Sequence, residues 1–336
     1  MNRDVVLHRP RRTASVLIVL VACSSATPRA HTSPTSTLRP KTRAPAVSRS
    51  RATSATLPNL PYVVERAAGA VVAGTGYMLG GLVPGDRSIS PILAINLTTG
   101  IARQVGALPA AAHDAAAATV GTNVYLFGGS GTAGSLVQRF DPASGSVARV
   151  GTLPRTLSDL GAVAIGNSIY LIGGYDGQRA RREILATTDE RTFTMVAMLP
   201  QGLRYMAVAA FGSKLLVVGG QTDSAQASSQ ILLVDPATGS VQQLGTLPVA
   251  TAHALLVVRG DTVFVVGGRD VGGHPSDRVW RVSLASGSVT PAQPLPIPLA
   301  DSTLLAGTQR TLLAGGATGH APQGGESNKE IVFTDG

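Results

Sequence analysis

A glycine pair that follows an apolar run recurs six times along this chain of 336 residues. The pairs are almost evenly spaced, at Gly80-Gly81, Gly128-Gly129, Gly173-Gly174, Gly219-Gly220, Gly267-Gly268 and Gly315-Gly316. A Leu-Pro pair stands before each of them, and its leucine always has the same offset from the first glycine, at Leu60, Leu108, Leu153, Leu199, Leu247 and Leu295. This fixed period predicts a repeat architecture of six equivalent units.

The variation in length between the units is confined to one segment. A turn of the type "DPATGS" starts at a constant distance before the next Leu-Pro at Asp141 and Asp235, with degenerate versions from Asn96, Thr187 and Ser283. The interval between the glycine pair and this turn varies, and it is shorter from Gly128 to Asp141 than from Gly80 to Asn96. Insertions into a repeat map to one face, so we expect the variable segments to lie on one side of the molecule.

Each unit contains short strands rather than helices. In "LGAVAIGNSIYLIGG" two brief runs are joined at Gly166-Asn167, and in "SQILLVDPATGSVQQLGTLP" two runs flank a Pro-Ala-Thr-Gly turn, as in hairpins. No stretch after residue 58 has a long apolar stripe at helical period. Four short strands in each of six units predict an all-β fold, a six-bladed β-propeller with four-stranded antiparallel blades.

The pattern resembles that of kelch-repeat proteins, whose blades carry a glycine pair after the second strand. The resemblance covers residues 59–336, although the tyrosine and tryptophan of the kelch consensus are replaced, for example by Phe140 and Val147 and by Val234 and Val241. The chain is thus similar to divergent members of that family. The last unit ends at its third strand, "EIVFTDG", so the resemblance implies that residues before Pro58 supply the fourth strand and close the ring from the N-terminus.

Residues 1–58 have the character of an export signal and a tether. A basic leader precedes the apolar stretch "TASVLIVLVA", which is too short to span a bilayer as a permanent helix. The sequence Leu20-Val21-Ala22-Cys23 that follows resembles a bacterial lipobox, and Cys23 is the only cysteine in the chain; the alternative is an incidental cysteine. We therefore predict a lipoprotein-type signal peptide at 1–22, a disordered Ser/Thr/Pro/Arg-rich tether at 23–58, and the propeller at 59–336.

The formal net charge of +9 lies entirely in this N-terminal segment. Residues 1–58 hold ten Lys or Arg and one acid, whereas the remainder holds 18 basic and 18 acidic residues. A propeller without a basic excess gives no support for a nucleic-acid partner. We expect instead a monomer on the extracytoplasmic side of a bacterial cell membrane, attached through a lipid on Cys23.

Polar residues occupy equivalent positions at a fixed offset after each leucine of the Leu-Pro pairs. They are Arg66, Asp114, Asp159, Tyr205, His253 and Asp301, and the symmetry of a propeller predicts that they surround one mouth of the channel. Glu65, His113 and Arg204 are adjacent in sequence, and the variable segments add Tyr175, Asp176, Arg269 and Asp270. The six ring positions, Arg204 and the four residues of the variable segments are the candidate ligand-binding residues. The alternative is that polar residues begin each inner strand because the rim is wet or because they tie the blades together.

Catalytic functions receive less support from the sequence. Kelch rings that act as copper oxidases use a cysteine, and none follows Cys23; the histidines after residue 58, including His320, lack zinc-ligand spacing, so we expect no metal and no cofactor. A carbohydrate-processing enzyme resembling sialic-acid mutarotases stays open, with Asp114, His253 and Asp301 as acid–base residues. The sequence favours a binding or scaffolding module for a protein or a cell-envelope glycan, and a subunit of an envelope assembly complex is a further alternative.

Overall fold

The computed structural model of the chain describes residues 57–319 and 325–334. Within these two ranges all regular secondary structure is β-strand. The predicted signal peptide, the lipidation site at Cys23, the tether up to residue 56, and His320 lie outside the described residues.

Six antiparallel sheets follow one another along the chain, and in each the strands pair in sequence order. The strands of blades 1 and 2 are Ala68–Val72, Thr75–Leu79, Pro91–Asn96 and Ala102–Ala107, then Ala116–Val120, Asn123–Phe127, Leu136–Asp141 and Ser146–Thr152. Those of blades 3 and 4 are Gly161–Ile165, Ser168–Ile172, Glu183–Thr187 and Thr194–Met198, then Ala207–Phe211, Lys214–Val218, Gln230–Asp235 and Ser240–Thr246. Those of blades 5 and 6 are Leu255–Arg259, Thr262–Val266, Val279–Ser283 and Val289–Pro291, then Thr303–Ala306, Thr311–Ala314 and Glu330–Phe333.

The predicted six-bladed propeller is therefore confirmed, with four strands in blades 1 to 5 and three described strands in blade 6. Two further short pairs lie on the rim: Leu82–Val83 with Arg87–Ser88, and Ala112–His113 with Ser130–Gly131. The first strand of every blade is the innermost, and in blades 1 to 4 its mostly small side chains let neighbouring inner strands approach each other.

The hydrophobic core consists of six clusters, one at each interface between neighbouring blades. Between blades 2 and 3, for example, Phe127 and Val137 pack against Ile169 and Leu171. Between blades 6 and 1, Leu312 packs with the corresponding residues of the first blade. Burial of apolar surface thus joins every blade to the next, including the last blade to the first.

The glycine pairs join each blade to the following one. The N–H of Gly129 donates to the carbonyl of Leu157 at 2.8 Å, and a Cβ on Gly128 would lie only 2.1 Å from that same oxygen. Both glycines have positive φ, 61° and 100°, a conformation that a side chain disfavours. The second glycine of each of the other five pairs donates in the same way, to the carbonyls of Ala112, Leu203, Thr251, Leu299 and Val64. The repeated motif is therefore a clip between blades.

The N-terminal segment completes the last blade. In blades 1 to 5 the leucine of the Leu-Pro pair donates its N–H to a carbonyl one or two residues before the third strand of the same blade, as Leu108 does to Ser90. In blade 6 the equivalent bond comes from the start of the ring, because Leu60 donates to Asn328 at 2.8 Å. Closure from the N-terminus is thus present at Leu60. The expected fourth strand falls on residues before 57, outside the described residues, and stays a prediction.

The segment that enters each blade and the variable segment lie on the same rim, as expected. In every blade an antiparallel bridge joins them immediately after the glycine pair, as between Ser158 and Tyr175 in blade 3. The rim that carries the sequence variation is therefore also the rim at which the inner strands begin.

Candidate functional site

The six polar residues predicted to surround the channel do lie together, and they share one backbone conformation. Arg66, Asp114, Asp159, Tyr205, His253 and Asp301 all have left-handed φ values, between 53° and 58°. Five of the six N–H groups donate to the carbonyl of the preceding residue around the ring, at distances of 2.8 to 3.0 Å. The bonds run from Arg66 to Asp301, Asp114 to Arg66, Asp159 to Asp114, Tyr205 to Asp159, and His253 to Tyr205. A ring of main-chain hydrogen bonds therefore fixes the start of the inner strands.

The left-handed backbone does not explain why these particular side chains occupy the six positions. Left-handed φ costs a residue with a Cβ roughly 1 to 2 kcal/mol, and glycine or asparagine adopts it more cheaply. Arginine and tyrosine, at Arg66 and Tyr205, are unfavourable choices for such a backbone. The favourable interactions that offset this backbone cost must therefore come from the side chains at these positions.

The ring encloses the mouth of a cavity of about 130 Å³. Its polar lining is formed by the six ring residues, and below them lie small or apolar side chains and one serine, namely Ala67, Ala115, Leu160, Met206, Ala254, Leu255 and Ser302. Together with four neighbours that contact them, the ring residues form the surface that we call the polar mouth: Glu65, Arg66, His113, Asp114, Asp159, Arg204, Tyr205, His253, Arg269 and Asp301.

Asp301 is the most enclosed carboxylate of the polar mouth, and it is fully paired. One oxygen lies 2.5 Å from Nδ1 of His253, and the other lies 2.8 Å and 2.7 Å from Nε and Nη2 of Arg269. Burial by itself raises the pKa of Asp301, but the charge and hydrogen bond of His253, with Arg269 and Arg66, hold it below its usual value. The cluster keeps Asp301 ionised and fixes the imidazole of His253.

Asp114 has the opposite electrostatic balance. Its Oδ2 lies 3.4 Å from Nη1 of Arg66 and 3.7 Å from Nε2 of His113. Burial raises the pKa of Asp114 well above its usual value and outweighs Arg66, and Asp159 and Asp301 add to the increase. Burial and Arg66 lower the pKa of His113. Asp114 is therefore shifted toward its protonated form, in which it can donate a hydrogen bond.

An aromatic stack lies on the side of the mouth formed by blades 3, 4 and 5. The rings of Tyr205 and His253 stack with centroids 3.8 Å apart, and the guanidinium of Arg204 lies 5.1 Å from Tyr205 and 4.8 Å from Tyr175. Nη1 of Arg204 also lies 3.5 Å from Oδ2 of Asp159. Burial raises the pKa of Tyr205, with a smaller contribution from nearby acids, so the phenol keeps its proton. The stack positions Arg204 between two aromatic faces.

Two of the candidate residues, Asp176 and Asp270, accept hydrogen bonds from the main chain of their own loops. Asp176 accepts the N–H groups of Gln178 and Arg179, and Asp270 accepts those of Gly272 and His274. Neither carboxylate lines the central cavity. Of the variable-segment residues, Tyr175 and Arg269 are the ones that the structure brings to the polar mouth.

Glu65 and His113, which the sequence places directly beside ring positions, also belong to the mouth. Glu65 contacts Nε of Arg66 at 3.2 Å, and His113 shares a hydrogen bond of 2.8 Å with Ser88. Both directly precede a ring residue in sequence, so the fixed offset from Leu-Pro indicates them as well. The pairing of Arg269 with Asp301 joins two different blades, and no spacing rule indicates it.

Comparisons with known proteins give no further assignment. No protein-family model matches the chain, and no characterised protein has a significantly similar sequence. Across residues 57–319 and 325–334, no three His, Cys, Asp or Glu side chains are grouped in a way that could hold a metal ion. That same part of the chain contains no helix with the length and apolar character needed to cross a membrane.

Proposed function

We propose that this protein is a kelch-type binding module of the bacterial cell envelope, and that its polar mouth binds a cell-envelope glycan or a protein. The observation that carries the proposal is the convergence of charged and aromatic side chains from all six blades around one cavity. A fold needs closely packed inner strands, but it does not need arginine and tyrosine in left-handed conformations at their start.

The rigidity of the site also favours binding. The main-chain ring fixes the six backbone positions, and the ion pairs of Asp301 fix His253 and Arg269. A site that is ordered before the ligand arrives avoids much of the entropy cost of association. Polar groups that converge on a concave surface are the usual features of a ligand site.

The cellular setting is part of the same proposal and depends on the sequence of the N-terminal segment 1–58. We place the module at the extracytoplasmic side of the membrane as a monomer, held by a lipid on Cys23 and a basic, proline-rich tether. Each basic residue close to an anionic membrane surface adds about 1 kcal/mol of attraction. Anchoring of this kind would keep the polar mouth close to envelope polymers.

The binding function is tested by thermal unfolding of the full-length chain against a panel of envelope glycans and membrane-protein extracts. A ligand that binds the native state raises the melting temperature. The Arg204→Gln variant should abolish the shift, whereas Lys214→Gln should preserve it, because Lys214 begins the second strand of blade 4 at the opposite rim. If no ligand or extract distinguishes wild type from Arg204→Gln, the proposal is wrong.

A carbohydrate-processing enzyme is the second candidate, and one arrangement favours it. Asp114 and His253 stand three positions apart in the ring of six, on opposite sides of the cavity. A neutral His253 that donates its Nδ1–H to Asp301 has a lone pair on Nε2 and acts as the base in this mechanism, and the raised pKa of Asp114 suits a general acid. Opening of a sugar hemiacetal needs one of each: the base removes the proton of the anomeric hydroxyl while the carbonyl forms, and the acid protonates the ring oxygen as its bond to the anomeric carbon breaks.

The two candidates differ in how substitutions act. We expect Asp114→Asn and His253→Gln to reduce ligand affinity by graded amounts if the protein only binds. If it catalyses sugar mutarotation, each substitution should instead lower the exchange rate between anomers at least about 100-fold, which NMR exchange spectroscopy measures.

A further inference from the structure

We infer that a cavity on the outer part of blade 3 is a docking site for a partner protein, and that it receives a large apolar side chain from an acidic segment of that partner. The cavity has a volume of about 210 Å³ and shares no residue with the polar mouth, so this inference goes beyond the proposed function. It lies between the segment that joins blade 2 to blade 3 and the outer strands of blade 3, and we call it the blade 3 cavity. Its apolar lining consists of Pro154, Leu157, Leu171, Leu185, Phe193 and Met195.

The outermost strand of blade 3 differs from those of blades 1, 2, 4 and 5. Met195 stands four residues before the leucine of the Leu-Pro pair. The residues at that position in the other four blades are Gln104, Arg149, Gln243 and Pro291. Polar side chains and proline are common protection for an exposed strand edge. In blade 3, by contrast, Met195 is 54% exposed and Met198 is 45% exposed, so this strand presents apolar surface to solvent.

Both methionines lie on the same face of the sheet as the blade 3 cavity. Met195 pairs with Leu185, and Met198 pairs with Glu183, because the register shifts between Ile184 and Leu185. Directly paired residues of antiparallel strands have their side chains on one face, and Leu185 and Glu183 both line the cavity. The two methionines and the cavity therefore form one continuous surface. The flexible thioether of methionine suits contact with a binding partner.

The shape of this surface favours a partner protein. Stable interfaces are centred on a large apolar side chain in a pocket, with polar groups around it that exclude water. The blade 3 cavity has this anatomy, because Glu183 at its edge accepts hydrogen bonds from Arg155 and Arg181 beside the apolar lining. An element that lies on a membrane projects its apolar side chains into the lipid, whereas the apolar lining here is concave.

The carboxylates close to the cavity are already compensated. Asp176 and Glu183 have side chains that are 15% and 21% exposed, and both contact Arg181. The hydrogen bond from Arg181 lowers the pKa of Glu183 to about 2, so this ion pair is present at neutral pH. Asp223, which comes from blade 4, accepts the N–H of Ala180.

The most accessible charges around the cavity are guanidinium groups. The side chain of Arg155 is 43% exposed, and Arg179 and Arg182 are exposed as well. An acidic partner segment complements this charge. The same charge disfavours the N-terminal segment 1–58, which holds ten Lys or Arg and one acid, and it disfavours a second copy, which would bring its own arginines.

NMR spectroscopy of the full-length chain with isotopically labelled methionine methyl groups tests the inference. The probe is a capped peptide with two glutamates on each side of one phenylalanine. One control peptide has alanine in place of phenylalanine, and the other has lysines in place of the glutamates. The probe should shift the methyl signals of Met195 and Met198 and leave that of the buried Met78 unchanged. We expect it to bind about tenfold or more tightly than either control peptide.

Two substitutions should each weaken binding of the probe about fivefold or more, and the melting temperature of each variant shows whether it is folded. Met195→Gln introduces the residue type that blades 1 and 4 carry at this position, and Arg155→Gln removes a charge at the rim. Arg149→Gln is the matched control, because Arg149 is an exposed arginine on the outermost strand of blade 2. Arg204→Gln should also bind the probe like wild type, since Arg204 belongs to the polar mouth.

Four results would overturn the inference. Equal affinity for the three peptides would remove the required chemistry, and unchanged affinity in both Met195→Gln and Arg155→Gln would remove the site. Methyl shifts of Met195 on dilution of the protein alone would identify a second copy as the occupant. Shifts with vesicles of phosphatidylglycerol but not with the probe would identify a membrane surface. None of these results bears on ligand binding at the polar mouth, so the proposed function fails or holds separately.

Discussion

Glu330 stands at a position that is aliphatic in every other blade, and its replacement tests how the ring is held closed. It pairs with Ala314 at the end of the second strand, and the residues that pair there in blades 1 to 5 are Ile92, Val137, Ile184, Ile231 and Val279. Those five side chains are 0 to 3% exposed and pack against the following blade. Glu330 is 7% exposed, and neither carboxylate oxygen has a hydrogen-bond partner among the described residues.

The cost of this buried carboxyl depends on pH. Burial raises the pKa of Glu330 from 4.5 to about 7, so the folded state binds the proton more tightly than the unfolded state does. Below about pH 4.5 Glu330 is protonated in both states and does not lower the free energy of unfolding. That free energy then decreases as the pH rises to about 7. The shift of (7 − 4.5) pKa units, at about 1.4 kcal/mol each, corresponds to about 3 kcal/mol.

Guanidinium unfolding of the full-length chain at pH 5 and at pH 8 measures this effect. Glu330→Gln keeps the shape of the side chain but cannot ionise, so it should match wild type closely at pH 5 and exceed its free energy of unfolding by about 3 kcal/mol at pH 8. Asp277→Asn removes an exposed carboxyl of blade 5 and should leave the pH dependence unchanged. Equal pH dependence of wild type and Glu330→Gln would refute the reasoning.

Three further substitutions test other parts of the argument. Chemical denaturation should show that Gly128→Ala lowers the free energy of unfolding by about 1 to 3 kcal/mol more than Gly145→Ala does. Both glycines have left-handed φ, but only at Gly128 would the added Cβ lie 2.1 Å from a carbonyl oxygen, that of Leu157. Asp301→Asn should lower the free energy of unfolding by about 3 to 5 kcal/mol at pH 7, because it leaves the buried guanidinium of Arg269 without its partner. Since the pKa of Asp301 is lowered in the folded state, the difference in unfolding free energy between wild type and Asp301→Asn should shrink below about pH 4. Cys23→Ser should move the protein from the membrane fraction to the soluble fraction, and unchanged partition on immunoblots would contradict the lipid anchor.

The architecture could be predicted from the sequence because its signals are local and repeated. The glycine pairs and Leu-Pro pairs mark hydrogen bonds that recur in each blade, so six copies reinforce one interpretation of the fold. Leu60 illustrates this, since its register with the other five leucines predicts that it belongs to a blade, and it bonds to Asn328 of the last one. The polar positions at the start of the inner strands follow from the same register.

The chemistry of the polar mouth could not be predicted in this way, because it depends on contacts between different blades. The sequence places Asp114 and Asp301 at equivalent positions, yet burial raises the pKa of Asp114 while His253 and Arg269 lower that of Asp301. Likewise, Asp270 stands beside Arg269 in sequence, but Asp270 caps its own loop and Arg269 pairs with a carboxylate of the next blade. A periodic sequence fixes which positions converge, whereas burial and charge at each position are set only when all six blades pack around the axis.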